Sequence, residues 1–270
     1  MRKKIVRMVR IRKTFGAVRA LWDVDFDVGY GEIVGLLGDN GAGKSTLIKI
    51  LSGVYKPDSG DIYFEEKKIS LRHPAEARAL GIETVQQGLN VFELMDLTRN
   101  LFIGREKVKR VGVLRFLDHR SMKDEACRMI VSIGIKRANP DVPAGVLSGG
   151  ERQAINIGRA MYFQAKVVIL DEPTTALSVK ETERVLRFIE QVRQRGSSVI
   201  FVTHNVYHVY EVADRFVILD RGVKIAELSR EEATPDEIIA LIRAGKLSGV
   251  PHQEEELGGR CQPWNRGTGF

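Results

Sequence analysis

The stretch GDNGAGKST at residues 38–46 limits the possible folds more than any other part of the sequence. It fits the pattern G-x4-G-K-[ST], follows an apolar run and opens a helical pattern, which is the setting of a phosphate-binding loop. A buried strand feeding a helix through such a loop indicates an α/β protein with a parallel sheet. The residues predicted to bind phosphate are Gly38, Asn40, Gly41, Ala42, Gly43, Lys44, Ser45 and Thr46.

The chemistry of this loop follows from its residue types. Glycines let backbone N–H groups close around a phosphate group. We expect Lys44 to reach the terminal phosphates and the Ser45 hydroxyl to ligate Mg²⁺.

Two further apolar runs, VVILDE at 167–172 and SSVIFVTH at 197–204, are typical of parallel strands buried on both faces. Ligands of open α/β sheets bind at the carboxyl ends of such strands. We therefore predict that Asp171 holds Mg²⁺ and that Glu172 acts as a general base on the attacking water. His204 ends the next run on the same side, and we expect it to contact the terminal phosphate.

The remaining patterns suggest how the chain is organised. Hairpins are predicted around Glu65 and Arg221, a first strand near the N-terminus, and mostly helices with no clear buried strand over 88–160. The prediction is an α/β P-loop NTPase core with an antiparallel β arm and an inserted helical subdomain. One domain covers 1–245, with the core at 1–87 and 161–245 and the subdomain at 88–160. The polar, Gly-rich segment 246–270 is expected to be disordered.

The composition indicates a globular protein and argues against a membrane-spanning or secreted one. The 270 residues are 43% hydrophobic and 29% charged, as in globular proteins. No apolar run is long enough to span a bilayer, and the basic start lacks the apolar core of a signal peptide. The net charge of +7 is dispersed, which fits a solvated surface or a weak attraction to a membrane face. Cys127 and Cys261 lack metal-type spacing, and Cys127 is expected in a helical core.

The sequence VLSGGERQ at 146–153 predicts a helix start. Ser148 and Glu151 have the spacing of a capping box. The two glycines between them leave bare N–H groups at the helix N-terminus, where an anion is favoured.

Taken together, GDNGAGKST, LSGGERQ, VVILDEP and His204, in this order, resemble the nucleotide-binding subunit of ABC transporters. The resemblance covers about residues 5–245. The phrases LIKILSGVYKPDSG, HPAEARALGIETV and DEIIALI are similar to the ATPases of bacterial monosaccharide importers of the ribose, xylose and fructose types. Members often carry two fused ATPase halves, whereas this sequence has one.

The resemblance implies an ATPase that uses ATP and Mg²⁺ and pairs head to tail with a second copy. Ser148 and Gly150 would contact the γ-phosphate held by the partner copy. The signature residues of that trans contact are Leu147, Ser148, Gly149, Gly150 and Glu151. The other implied partners are integral membrane permease subunits and, indirectly, a periplasmic sugar-binding protein, with no nucleic acid. The implied location is the cytoplasmic side of the inner membrane.

Two more residues carry over from the family pattern. Phe15 matches the aromatic residue that stacks on adenine, with a core phenylalanine as the alternative. Gln87 matches the glutamine that senses Mg²⁺ and links the core to the helical subdomain. Two positions depart from the pattern. Gln86 stands where an aromatic residue is common, and Ser178 stands where many relatives have Asp.

Alternatives remain at this point. The apolar segment 88–104 either docks against membrane subunits or packs within its own subdomain. A soluble ABC ATPase acting on nucleic acid or ribosomes would typically carry tandem cassettes, coiled-coil insertions or basic arms, which the sequence lacks. A non-catalytic regulator conflicts with the intact Lys44, Asp171, Glu172 and His204. An importer of a non-sugar substrate stays open.

Ser148→Arg tests the trans contact. The bulky cation should block pairing of two copies while each copy still binds ATP, because Ser148 is assigned to the partner's nucleotide. Nucleotide titration of the monomer and size-exclusion chromatography with ATP measure the two properties. Loss of ATP binding by the monomer would contradict the trans role.

Overall fold

The protein is described by a computed structural model over residues 3–85, 91–132 and 139–245. Its strands are β1 Lys4–Phe15, β2 Val18–Gly29, β3 Ile33–Leu37, β4 Ser59–Phe64, β5 Lys67–Ile69, β6 Ile82–Val85, β7 Val108–Val111, β8 Leu114–Leu117, β9 Val167–Asp171, β10 Ser198–Val202, β11 Arg215–Asp220 and β12 Val223–Ser229. Its helices are α1 Lys44–Leu51, α2 Pro74–Leu80, α3 Leu97–Phe102, α4 His119–Ser132, α5 Gly149–Tyr162, α6 Val179–Gln194, α7 Val206–Tyr210 and α8 Pro235–Gly245.

A six-stranded sheet with the order β12-β11-β3-β10-β9-β6 forms the centre of the fold. Five strands run parallel, and β12 closes one edge antiparallel to β11. Every residue of β3, β9 and β10 is buried. Continuous apolar runs therefore form strands covered on both faces, and the predicted parallel core is confirmed.

A second, antiparallel sheet with the order β2-β1-β4-β5 packs over one side of this core. Met8 and Phe26 of this sheet share one hydrophobic cluster with Leu47 of α1 and Ile169 of β9. The predicted N-terminal strand and both predicted hairpins, β4–β5 and β11–β12, are confirmed. The long β1–β2 pair forms the antiparallel arm and brings its far end next to the loop after β3.

Another hydrophobic cluster has its buried residues within 91–155 and joins α3, α4 and α5. This region is largely helical, as predicted, but it also contains the β7–β8 hairpin. That hairpin was missed because its described side chains in both strands are exposed, so it has no buried apolar run to reveal it.

The prediction for Cys127 was wrong, because its side chain is exposed. Helix α4 buries Met122, Ala126, Met129 and Ile130, which recur at the spacing of one helical face. Cys127 follows Ala126 by one residue, about 100° around the helix, and so faces away from the core.

Several predictions fall on residues outside the described ranges. These are Gln86, Gln87, Cys261 and the segment 246–270. The division into core and helical subdomain at residues 88 and 160 stays a prediction. Within the described ranges, no helix has both the length and the apolar character needed to cross a membrane.

One ion-pair network ties the two larger sheets together. The Arg215 guanidinium at the start of β11 bonds Glu32 beside β3, Asp27 of β2 and Glu227 of β12. Both Arg215 and Glu32 are largely buried. Burial raises the pKa of Glu32, but hydrogen bonds from Arg215 and from the Gly29 amide outweigh burial and lower the pKa overall. The network therefore depends on both charges being present.

Arg215→Leu should lower the free energy of unfolding at neutral pH by about 3–5 kcal/mol, because it leaves the Glu32 carboxylate buried without its cation. Urea unfolding measures the loss. The pKa of Glu32 is lowered in the folded state, so its stabilisation is present above the ordinary value of 4.5 and is lost as the pH falls through the lowered pKa. The difference between variant and parent should therefore shrink in acid.

Arg187→Leu is the matched control, since Arg187 makes only an exposed pair with Glu183. Its effect should stay below about 1 kcal/mol. Equal losses for the two variants would contradict a structural role for the Arg215 network.

Candidate functional site

The loop that follows β3 is shaped by steric limits at its glycines. Gly38 has a φ of +141°, and a Cβ there would lie 2.2 Å from the Leu219 carbonyl oxygen. Gly43 has a φ of +100°, and a Cβ there would lie 2.7 Å from the Ala20 carbonyl oxygen. No side chain fits at either position, so the chain folds tightly around the space in front of α1. The N–H groups of the first turn of α1 are the donors that a phosphate group requires.

Lys44 lies within this loop. Its side chain is buried, and Nζ donates to the carbonyl oxygens of Gly38 at 2.5 Å and Asp39 at 2.9 Å. Burial lowers the pKa of Lys44, while the charges of Glu172, Asp39 and Asp171 oppose that shift. Among the described residues, the ammonium group donates its hydrogen bonds to backbone oxygens, at the point where a phosphate oxygen would be a stronger partner.

The two adjacent carboxylates at the end of β9 occupy different surroundings. Asp171 is buried, and burial together with the charge of Glu172 raises its pKa, which the nearby Lys49 and Lys44 partly offset. A divalent cation would relieve both effects, because it favours the ionised carboxylate. Asp171 therefore fits the role of a Mg²⁺ ligand.

Glu172 is held by several hydrogen-bond donors. Its side chain is 9% exposed, and its backbone has a φ of +50°. The Thr175 and Thr203 hydroxyls each donate to Oε2 at 3.0 Å. The His204 backbone N–H donates to Oε1 at 3.1 Å, and His204 Nδ1 lies 2.6 Å from the same oxygen. The carboxylate is thus fixed in place by groups from two neighbouring strand ends.

Thr175 and Thr203 are site residues that the sequence reasoning missed. Thr203 directly precedes His204, and Thr175 follows Glu172 by three residues. The nearness of these hydroxyls to the motifs could have indicated a role. That both donate to Glu172 follows from the pairing of β9 with β10, which the sequence does not show.

A cleft of about 450 Å³ brings most of the predicted residues together. It is lined by Phe15, Val18, Arg19, Ala20, Asp39, Asn40, Gly41, Ala42, Gly43, Lys44, Ser45, Thr46, Asp171, Glu172 and His204. Gly38, buried at the end of β3, supports the loop from below. Arg19 was also missed by the sequence reasoning, although it is the second residue of β2 and pairs with Thr14, next to Phe15.

Phe15 lies at the open side of this cleft. Its ring is 41% exposed and makes an edge contact with Tyr55, with centroids 5.2 Å apart. Lys13 Nζ lies 5.4 Å from the ring centroid. The exposed ring does not match the alternative of a core phenylalanine, and it leaves an aromatic surface beside the phosphate loop. Its predicted role in adenine stacking stays a prediction.

The residues present fit a nucleotide with Mg²⁺. The glycine cradle, the ammonium of Lys44 and the open first turn of α1 are suited to phosphate oxygens. Ser45 is exposed in that turn and shares the cleft with Asp171, so hydroxyl and carboxylate oxygens face the same space. Oxygen ligands of this kind are those that Mg²⁺ prefers.

The signature segment 147–151 does not line this cleft, but it has the predicted helix-start geometry. Ser148 Oγ accepts from the Glu151 N–H at 3.3 Å, and the Glu151 carboxylate accepts from the Ser148 N–H at 2.9 Å. The capping box is therefore confirmed. Ser148 is exposed, whereas Leu147 and Gly150 are buried.

Comparison with protein families and curated proteins identifies relatives. A family model described as ABC transporter matches residues 21–175. A xylose/arabinose import ATP-binding protein of Sulfolobus acidocaldarius is 43% identical, and the match covers 89% of this chain and 94% of that protein. A fructose import ATP-binding protein of Rhizobium meliloti is 41% identical, with 87% and 92% covered. A ribose import ATP-binding protein of Clostridium tetani is 38% identical, with 91% of this chain but only 48% of that protein covered.

Solved structures agree with the fold. The ADP conformation of an ATP-binding cassette from an ABC transporter superposes with a TM-score of 0.78 at 25% identity, covering 92% of this chain and all of that one. A nucleotide-free ATP-binding cassette from an ABC transporter gives a TM-score of 0.76 at 26% identity, covering 88% and 96%.

Glu172→Gln should keep nucleotide binding and reduce hydrolysis by about 10²–10⁴-fold, the usual contribution of a general base. The amide can still accept from Thr203 and Thr175, so the fold of the site is preserved. Phosphate release and fluorescent-nucleotide binding measure the two properties. Glu183→Gln, the same change at an exposed position on α6, should leave both unchanged. A hydrolysis rate near that of the parent would show that Glu172 is not the base.

Proposed function

The chain belongs to the ABC transporter family as an ATP-hydrolysing cassette, and we propose that it drives uptake of a monosaccharide through partner membrane subunits. The observation that carries the proposal is the nearly full-length match, at 43% identity, to a xylose/arabinose import subunit. The cleft supports the ATPase part of this proposal. The described residues predicted to bind phosphate and Mg²⁺ line the cleft, and Gly38 lies beneath it.

Hydrolysis would divide among the residues of the cleft. The loop amides and Lys44 would hold the β- and γ-phosphates of ATP. Ser45 and Asp171, with Gln87 from outside the described residues, would hold Mg²⁺, which neutralises developing phosphate charge. Glu172 would take the proton of the attacking water, and His204 would orient Glu172 and contact the γ-phosphate.

Two copies would act together, head to tail. The cleft of one subunit lacks a contribution from residues 147–151, and the exposed Ser148 at the start of α5 would meet a nucleotide held by another copy. Ser148 and Gly150 would then complete the binding of the γ-phosphate, and its hydrolysis would let the pair open.

The segment 91–104 offers a surface for the membrane subunits. Leu97, Leu101 and Phe102 pack into the cluster of α3, α4 and α5, whereas Phe92 and Leu94 are 57% and 98% exposed. The segment thus supplies a core of its own and also two apolar side chains that a permease helix would cover. We place the chain on the cytoplasmic face of the membrane, where a periplasmic sugar-binding protein reaches it only through the permease.

A pull-down from native membranes tests this function. The Glu172→Gln variant with ATP should hold the pair closed and retain its partners, which mass spectrometry then identifies. Recovery of a polytopic membrane protein, together with a sugar-binding protein, is the expected result. Recovery of nucleic acid or ribosomes without a membrane protein would favour a soluble ABC ATPase instead. Glu172→Gln/Ser148→Arg serves as the control that cannot close.

A further inference from the structure

Glu181 lies in the first turn of α6, three residues beyond Ser178 and shortly after the loop that carries Glu172. Its Oε2 accepts from the Ser178 N–H at 3.1 Å and from the Ser178 hydroxyl at 2.9 Å. This is a capping box like that of α5. The other carboxylate oxygen, however, leaves its own helix and reaches a different one.

That oxygen, Oε1, accepts from the Gly150 N–H at the start of α5 at 3.0 Å. The Ser148 hydroxyl also helps to lower the pKa of the same carboxylate. Ser148 and Gly150 are the two groups assigned above to the γ-phosphate of the partner copy. One carboxylate of the chain itself therefore occupies the Gly150 N–H, which is one of the two donors assigned to the trans phosphate.

The fit is close. A Cβ on Gly150 would lie 2.7 Å from Cγ and 2.8 Å from Cβ of Glu181. Because residue 150 has no side chain, the Glu181 carboxylate can reach its N–H, as a phosphate could. This second use of the glycine was not visible from the sequence LSGGERQ.

The charge of Glu181 is stable. The N–H groups of Gly150 and Ser178, followed by the Ser178 hydroxyl, lower the pKa of Glu181 to about 2. The carboxylate is thus ionised at neutral pH and cannot give way by taking up a proton. Since one N–H cannot serve two anions at full strength, and two anions at this distance repel, a phosphate and the Glu181 carboxylate exclude each other.

We propose that Glu181 is a positioning residue that fills the anion position of the signature in the single subunit and is displaced by the γ-phosphate of the partner copy's ATP. The inference rests on the proposed head-to-tail pairing. Binding of ATP by one copy must then move a side chain on α6 of the other. Because α6 begins directly after the loop of Glu172, closure at the signature is passed to the loop that carries the base.

The loop between the two glutamates gives this coupling a physical path. The Thr175 hydroxyl donates to Glu172. Three residues beyond Thr175, the Ser178 hydroxyl donates to Glu181. Release of Glu181 frees one end of the loop, while the Glu172 contact holds the other.

Glu181→Gln in the Glu172→Gln background tests the proposal. The amide oxygen can keep the bond from the Ser178 N–H that caps α6. The –NH2 group cannot accept from the Gly150 N–H, and the negative charge that opposes the phosphate is gone. ATP-dependent pairing, followed by sedimentation velocity, should tighten about tenfold, because the change acts at both sites of the pair. The gain should shrink at high salt as the repulsion is screened.

Glu172→Gln/Glu183→Gln is the matched control, with the same loss of charge at an exposed position two residues away. Thermal unfolding of each variant checks for the loss of the α6 cap, which would weaken pairing rather than tighten it. Pairing equal to the control, or weaker, would show that Glu181 only caps α6. If the Glu172→Gln parent does not pair with ATP at all, the proposed function fails instead.

Discussion

The register of three parallel strands is the constraint on which the rest of the structure depends. Val202 of β10 pairs with Leu36 of β3 on one side and with Asp171 of β9 on the other. Three strand ends therefore meet at one edge of the sheet, and the phosphate loop, the two carboxylates and His204 emerge there together. The burial of these strands between helices fixes that register, because a slip would place polar strand ends within the core. The geometry of the cleft is thus a consequence of core packing.

Most of this arrangement could be predicted from the sequence, since continuous apolar runs and short motifs indicate it. The runs before Gly38, Asp171 and His204 predict buried parallel strands, and ligand groups at their ends share an edge. The β arm was predicted from its alternating pattern and turns, whereas Phe15 was proposed from the family resemblance. These features depend on residues near one another in the chain, which is where sequence patterns are informative.

The contacts that the sequence did not reveal join residues that are distant along the chain. Gly150 and Glu181 are 31 positions apart, and the sequence explained Gly150 locally, as part of a bare helix start. Thr203 meets Glu172 only because β9 and β10 are neighbours. The β7–β8 hairpin was missed for the opposite reason, since its side chains are exposed and leave no hydrophobic pattern.

The β7–β8 hairpin also combines exposed strand edges, which favour association between molecules, with charges that oppose it. Within the described chain, β7 and β8 pair only with each other, so both outer edges of the ribbon keep unpaired backbone groups beside exposed Val113, Leu114 and Phe116. Ribbons of this kind are templates for strand addition between molecules. Arg110 and Arg115 face each other directly across the ribbon. Their mutual repulsion costs the hairpin some stability, but two ribbons brought edge to edge would gather four such charges. Edge-to-edge contact of two ribbons would therefore meet electrostatic repulsion, which salt weakens.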